Sequence, residues 1–121
     1  MASLLVVDDS ADICALYEQE FTEDGHEVML STSAAQALEQ LKSHHPDVII
    51  LDIGMPDMNG LELLKILSDR GDNTPVILNT AYSELGEDCT AKPVAARVLK
   101  SGDLTVLKKE IAKVLTAADT R

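Results

Sequence analysis

The chain has 121 residues, of which 45% are hydrophobic and 26% are charged, and this composition is typical of one globular domain. Asp and Glu together number 21 and Lys and Arg number 10, which gives a formal net charge of −11 at pH 7. This charge disfavours binding to DNA or to an anionic membrane, because both need a positive protein surface, and it favours a basic protein partner or a divalent cation.

The first part of the chain alternates a short apolar run with a helical pattern. Residues 4–7 are continuously apolar, as in a strand that is buried on both faces of a sheet. A helix is predicted over residues 9–24, and Gly25 ends it. The buried face of this helix is predicted to contain Ile13, Leu16, Tyr17 and Phe21. Residues 26–30 predict a second, weaker strand.

The middle of the chain repeats this alternation. Ser33 and Gln36 have the capping-box spacing of a helix start, and Pro46 predicts that the helix ends around residues 44–46. The apolar face of this helix contains Ala34, Ala37, Leu38 and Leu41. Residues 47–51 predict the second clearly buried strand, and a loop is predicted over residues 52–59.

The last part of the chain predicts two helices and two strands. The helix after the loop is closed by Gly71, and its apolar face contains Leu61, Leu64 and Leu67. Strands are predicted over residues 76–78 and 98–99, and Asp103 can cap the final helix. The apolar face of that helix contains Leu104, Leu107, Ile111 and Val114. Residues 82–96 keep no helical face beyond one or two turns, so a short helix or an irregular loop is predicted there.

Five repeats of a strand and a helical or irregular segment predict a parallel sheet covered on both faces, because parallel strands need long crossovers. Polar residues come directly after the apolar runs, or at the end of one: Asp8, Asp9, Asp52, Thr80 and Lys100. In sheets of this kind the functional crevice lies at the carboxyl ends of the strands. We therefore expect these side chains to converge at one edge of the sheet.

The converging residues predict a site for a metal and an anion. Each of them alone is more typical of a turn or of a helix cap, but the joint pattern disfavours that interpretation. Three carboxylates brought close together repel one another unless a cation lies among them, and oxygen ligands without His or Cys suit Mg²⁺. The ammonium of Lys100 and the hydroxyl of Thr80 would then bind an anion beside the metal, and a phosphoryl group fits best. Asp52 is the best nucleophile by position, because it ends the most buried strand.

These residues carry a resemblance to a known family. Residues 6–10 (VVDDS), 51–60 (LDIGMPDMNG) and 80–81 (TA) are similar to the receiver domain of bacterial two-component response regulators, and the resemblance covers essentially the whole chain. It implies a doubly wound, five-stranded parallel sheet in the flavodoxin-like order 2-1-3-4-5, within one receiver domain over residues 1–121. The fourth helix of that fold would be short or irregular here.

The resemblance also implies a reaction and the residues that carry it. A sensor histidine kinase or a histidine phosphotransfer protein would transfer a phosphoryl group to Asp52 in a Mg²⁺-dependent reaction. Asp9 and Asp52 would ligate Mg²⁺ directly, Asp8 would act largely through water, and the backbone carbonyl of Gly54 would complete the protein ligands. The residues that would hold the phosphoryl oxygens are Thr80 and Lys100.

The chain departs from the family pattern around its lysine. Lys92 precedes a proline, as the family lysine does, but it follows Thr80 too closely for a helix and a strand to lie between them, so we assign the role to Lys100. Lys100 is followed by Ser101 rather than by proline, and Arg97 stands where the family has its switch aromatic. Burying an unpaired guanidinium is costly, so we expect Arg97 to stay exposed.

The leading hypothesis is a stand-alone receiver that relays a signal through contacts with an unknown downstream protein. Such a receiver is not an enzyme, although it takes part in its own phosphorylation and dephosphorylation. One alternative is an unphosphorylated pseudo-receiver scaffold. The other is an aspartyl-nucleophile phosphatase of the haloacid dehalogenase type, which usually has a second acid where Gly54 stands.

The sequence also predicts the compartment. The apolar runs are far shorter than the roughly 20 residues that span a bilayer, and the first residues lack the features of a signal peptide. Cys14 and Cys89 do not have the spacing of a metal site or of a disulfide framework. We therefore expect a cytoplasmic location with reduced thiols.

Overall fold

The computed structural model describes residues 2–52, 60–80, 95–99 and 103–119. Within these ranges it contains five strands and four helices. In chain order they are β1 (Ser3–Val7), α1 (Ala11–Glu23), β2 (Glu27–Ser31), α2 (Ala34–Gln40), β3 (Val48–Leu51), α3 (Gly60–Asp69), β4 (Val76–Thr80), β5 (Ala96–Leu99) and α4 (Thr105–Asp119). The predicted short or irregular helix falls almost entirely on residues 81–94, which lie outside the described residues.

The five strands form one sheet in which every neighbouring pair is parallel, in the order β2-β1-β3-β4-β5. This is the predicted doubly wound topology. Val7 of β1 is level with Ser31 of β2 and with Leu51 of β3, and Leu51 is level with Leu78 of β4. The carboxyl ends of these strands therefore meet at one edge of the sheet. None of the described helices is long and apolar enough to cross a membrane.

The core lies on both faces of the sheet, because successive strand residues point to opposite faces. On β1, Leu5 and Val7 pack into a cluster with residues of α2 and α3, whereas Leu4 and Val6 pack into a cluster with residues of α1 and α4. All four side chains are fully buried. Burying one such side chain stabilises the fold by about 1.5–3 kcal/mol. Because both faces of β1 are covered by helices, every residue of the run gains this energy, and the run is apolar without alternation.

Polar side chains fix where two of the helices begin. The Ser10 hydroxyl accepts the Ile13 amide at 3.2 Å at the start of α1, and the Ser33 hydroxyl accepts the Gln36 amide at 3.1 Å at the start of α2. The Gln36 side chain does not close the predicted capping box on Ser33. Its Oε1 instead accepts the Thr32 amide at 2.7 Å, one residue earlier, and this bond satisfies a donor ahead of the helix.

Helix α2 is shorter than predicted. It ends at Gln40, before the residues around Pro46 that were expected to end it. The next amides fold into a tighter turn, in which Lys42 donates to Glu39 and Ser43 donates to Gln40, three residues back in each case. Proline therefore does not end this helix; the tightened last turn does.

The predicted face of α1 is wrong at one position. Tyr17 and Phe21 are buried as predicted, but Leu16 is 40% exposed and Cys14 is buried in its place. Cys14, Tyr17 and Phe21 are spaced i, i+3 and i+7, so they share one side of the helix. Leu16 lies about 100° around the helix from Tyr17 and points away from the sheet.

Candidate functional site

Backbone hydrogen bonds extend the sheet by one residue and so position the first two acidic residues. Asp52, directly after β3, donates its amide to the Val7 carbonyl at 3.0 Å. Asp8, directly after β1, donates its amide to the Ser31 carbonyl at 3.0 Å. The two carboxylates therefore start from neighbouring strands at the same level of the sheet.

Asp8, Asp9 and Asp52 form an acidic cluster at this edge, as predicted. One carboxylate oxygen from each residue lies within 4.8 Å of the others. Asp8 is 2% exposed and Asp52 is 7% exposed, whereas Asp9 faces solvent. Three negative charges at this separation favour binding of a cation, and a donor set made only of oxygen atoms suits a hard ion such as Mg²⁺. The residues present therefore fit the predicted metal.

Helix α1 is tied to the acidic cluster through Asp8. The Asp8 Oδ1 atom accepts the Ser10 amide at 2.9 Å, and the Cys14 thiol donates to the Asp8 carbonyl at 3.3 Å. Ser10 is also the residue that caps α1. The first turns of the helix and the first acid of the cluster are thus held together by the same short segment.

The other predicted site residues are only partly placed by the structure. Thr80 is the last residue of β4, the strand beside β3, and its backbone is level with Leu99 of β5. Lys100 and Gly54 lie outside the described residues, so their roles stay predictions. Arg97 is on β5 and is exposed, which agrees with the expectation from the sequence.

One buried polar contact near the site was not predicted. The Asn79 side-chain amide donates to the Tyr17 hydroxyl at 2.7 Å, which joins β4 to the middle of α1. Tyr17 is 1% exposed and Asn79 is 2% exposed. The sequence predicts Tyr17 as a core residue and leaves Asn79 as a polar residue at a strand end. The one available signal was a side-chain amide directly after the apolar run of residues 76–78.

Among the residues that the structure describes, two ionisable groups have shifted pKa values, and both lie on or beside α4. The hydrogen bond to Glu20 of α1 raises the pKa of Lys108 above its ordinary value, and Asp24 at 3.3 Å adds to the effect. The hydrogen bond from the Thr105 hydroxyl lowers the pKa of Asp103, and the Thr105 amide bond lowers it further. Lys108 therefore links α1 to α4, and Asp103 supports the start of α4 as predicted.

Comparison with known proteins finds a matching family model and several curated relatives. A family model described as the response regulator receiver domain matches residues 4–117. The sporulation initiation phosphotransferase F of Bacillus subtilis (strain 168) is 31% identical over 114 residues, which are 93% of this chain and 92% of that protein. Other curated relatives are longer proteins, and the chain spans 17% to 52% of their length.

Solved structures match over nearly the whole chain. The response regulator protein TrrA from Thermotoga maritima, in complex with Mg²⁺-BeF, is 33% identical with a TM-score of 0.86, over 94% of this chain and 99% of that one. TrrA in complex with the histidine kinase ThkA matches with 33% identity and a TM-score of 0.84, over 95% of this chain and 99% of that one.

Proposed function

Because the chain belongs to the receiver domain family of response regulators, we propose that it accepts a phosphoryl group on Asp52. The donor is the phosphohistidine of a sensor histidine kinase or of a histidine phosphotransfer protein. The observation that carries this proposal is the acidic cluster, in which Asp52 is nearly buried and has two further acids within 4.8 Å. The match to TrrA bound to a histidine kinase supports a kinase as the donor.

The chemistry is nucleophilic transfer to a carboxylate. An oxygen of Asp52 forms a bond to phosphorus while the P–N bond of phosphohistidine breaks, and the imidazole nitrogen keeps the electron pair of that bond. The Asp52 backbone is fixed to the end of β1 by its amide bond to Val7, so the nucleophile needs little reorganisation before it reacts.

The acidic residues hold the metal in this proposal. Asp9 and Asp52 would ligate Mg²⁺ directly, Asp8 would act largely through water, and the Gly54 carbonyl would complete the protein ligands. When bound, Mg²⁺ neutralises the negative charge on the phosphoryl oxygens. The Mg²⁺-BeF complex of the similar protein TrrA supports this choice of metal.

Thr80 and Lys100 contact the phosphoryl oxygens in the same proposal, because each stands at the carboxyl end of its strand in the sequence.

The chain acts as one receiver domain over residues 1–121 and is not an enzyme, although it takes part in its own phosphorylation and dephosphorylation. It works in the cytoplasm and passes the signal to a downstream protein by direct contact. The net charge of −11 supports a protein partner over DNA or a membrane.

Labelling with phosphoramidate, which has the same kind of P–N bond as phosphohistidine, tests the proposal. With Mg²⁺ present, intact-mass measurement should show one added phosphoryl group on the wild type and none on Asp52→Asn. Asp69→Asn, which removes the same charge from an exposed position at the end of α3, should label like the wild type. An unlabelled wild type refutes the proposal and favours the scaffold alternative, and undiminished labelling of Asp52→Asn shows that the acceptor is wrong.

A further inference from the structure

The hydrogen bond between Tyr17 and Asn79 connects two elements that are far apart in sequence. It is 2.7 Å long, and its donor and acceptor belong to residues that are 2% and 1% exposed. Tyr17 lies in the apolar cluster between the sheet and helices α1 and α4, and Phe21 packs in the same cluster with its ring centroid 5.5 Å from that of Tyr17. The hydrogen bond is therefore formed in a largely apolar environment.

Stability alone does not explain a polar pair at this place. Moving an amide and a hydroxyl out of water is costly, and their mutual hydrogen bond recovers about that cost and little more. Two apolar side chains of similar shape would make the fold equally or more stable. The pair differs from an apolar contact in its geometry, because a hydrogen bond of 2.7 Å fixes the distance and direction between α1 and β4.

The position of the pair suggests what this geometry controls. Asn79 directly precedes Thr80, the last residue of β4. On the other side, Tyr17 is one helical turn from Cys14, whose thiol donates to the carbonyl of Asp8. Helix α1 thus contacts the ends of both β1 and β4 through polar atoms, and these two strands lie on either side of β3, which Asp52 follows.

We propose that Tyr17 and Asn79 are positioning residues, which hold the carboxyl end of β4 against α1 and so set the place of Thr80 relative to the acidic cluster during phosphoryl transfer. This inference rests on the proposed function. Neither residue touches the phosphoryl group, and both act through the backbone of Thr80. Misplacing a contacting group by about 1 Å is enough to slow a reaction by one or two orders of magnitude.

The test compares stability with the rate of phosphorylation in three variants. Tyr17→Phe and Asn79→Leu each leave one buried polar group without this partner, so both should lower the urea midpoint and slow labelling by phosphoramidate and Mg²⁺. The double variant Tyr17→Phe/Asn79→Leu removes both members of this hydrogen bond, so its urea midpoint should fall by less than the sum of the two single losses. Its labelling should remain slower by about tenfold, because the fixed geometry is still missing.

Two controls separate positioning from a general loss of stability. Leu67→Ala removes packing from the apolar cluster on the other face of the sheet, away from Tyr17, so it should lower the urea midpoint but label at the wild-type rate. The Mg²⁺ affinity of the double variant, measured by calorimetry, should stay within about twofold of the wild type, because the acidic cluster comes from β1 and β3 rather than from β4.

The possible results have distinct meanings. An unlabelled wild type overturns the proposed function and this inference together. A labelled wild type with an equally fast double variant overturns the inference alone. A Leu67→Ala protein that is slowed as much as the double variant also overturns it, because the rate would then follow stability and not the hydrogen bond.

Discussion

Neutralising one carboxylate of the acidic cluster should stabilise the metal-free protein. In Asp8→Asn the amide oxygen can still accept the 2.9 Å bond from Ser10, so the substitution removes the charge and keeps this contact. The ligand oxygens of the cluster lie within 4.8 Å of one another, and two unit charges at about that distance repel by about 3 kcal/mol at an effective dielectric constant of about 20. Solvent at the exposed Asp9 and the positive charge predicted for Lys100 reduce this value. We expect a net gain of about 1–2 kcal/mol in the free energy of unfolding.

Urea unfolding followed by circular dichroism in EDTA measures this gain. Glu18→Gln removes the same charge from an exposed position on α1 and should change stability by less than about 0.5 kcal/mol. Mg²⁺ at 100 times its dissociation constant should stabilise the wild type by about 2.7 kcal/mol, and should stabilise Asp8→Asn by clearly less. The argument is refuted if Asp8→Asn in EDTA is no more stable than Glu18→Gln.

Three further predictions concern the metal, the response to phosphorylation and pH. Asp9→Ala should weaken Mg²⁺ binding in a calorimetric titration far more than Asp57→Ala, and equal effects of the two variants would contradict the ligand assignment. Lower pH should weaken Mg²⁺ binding to the wild type, because the ligating carboxylates must be deprotonated. Because residues 82–96 keep no helical face beyond one or two turns in the sequence, hydrogen exchange should show that phosphorylation increases amide protection chiefly there. Amides in this range that are already fully protected before phosphorylation would contradict the prediction. The hydrogen bond to Glu20 raises the pKa of Lys108, so Lys108→Met should be less stable than the wild type at neutral pH. This difference should be complete below pH 10.5, the ordinary value for lysine, and should shrink as pH rises beyond it through the raised pKa of Lys108, where the folded protein loses the ammonium proton. A difference that stays constant to pH 12 would show that the ammonium is not its source.

The parts of the fold that could be predicted from the sequence are those with local signals. The apolar runs that became β1 and β3 stand out because both faces of these strands are buried, so no polar residue interrupts them. Once the strands are known to be parallel, their carboxyl ends must meet at one edge. The cluster of Asp8, Asp9 and Asp52 follows from this reasoning and needs no knowledge of side-chain contacts.

The parts that could not be predicted depend on contacts distant in sequence or on small differences in energy. Leu16 and Cys14 are both compatible with an apolar face of α1, and only the packing against the sheet selects Cys14. The end of α2 at Gln40 depends on a turn that is close in energy to one more turn of α-helix. The bond between Tyr17 and Asn79 joins residues 62 positions apart, and no pattern in one sequence reports such a pair.

The measurement that tests the central claim most directly is the location of the phosphoryl group in the wild-type protein. After reaction with phosphoramidate and Mg²⁺, the protein is digested at acidic pH, which preserves acyl phosphates, and the peptides are analysed by tandem mass spectrometry. The account predicts one modified peptide, with the phosphoryl group on the Asp52 carboxylate, and no modified peptide when EDTA replaces Mg²⁺. A phosphoryl group on any carboxylate other than that of Asp52 would contradict it. So would an added phosphoryl mass on the intact protein that is lost at acidic pH, as a phosphohistidine at His26, His44 or His45 would be.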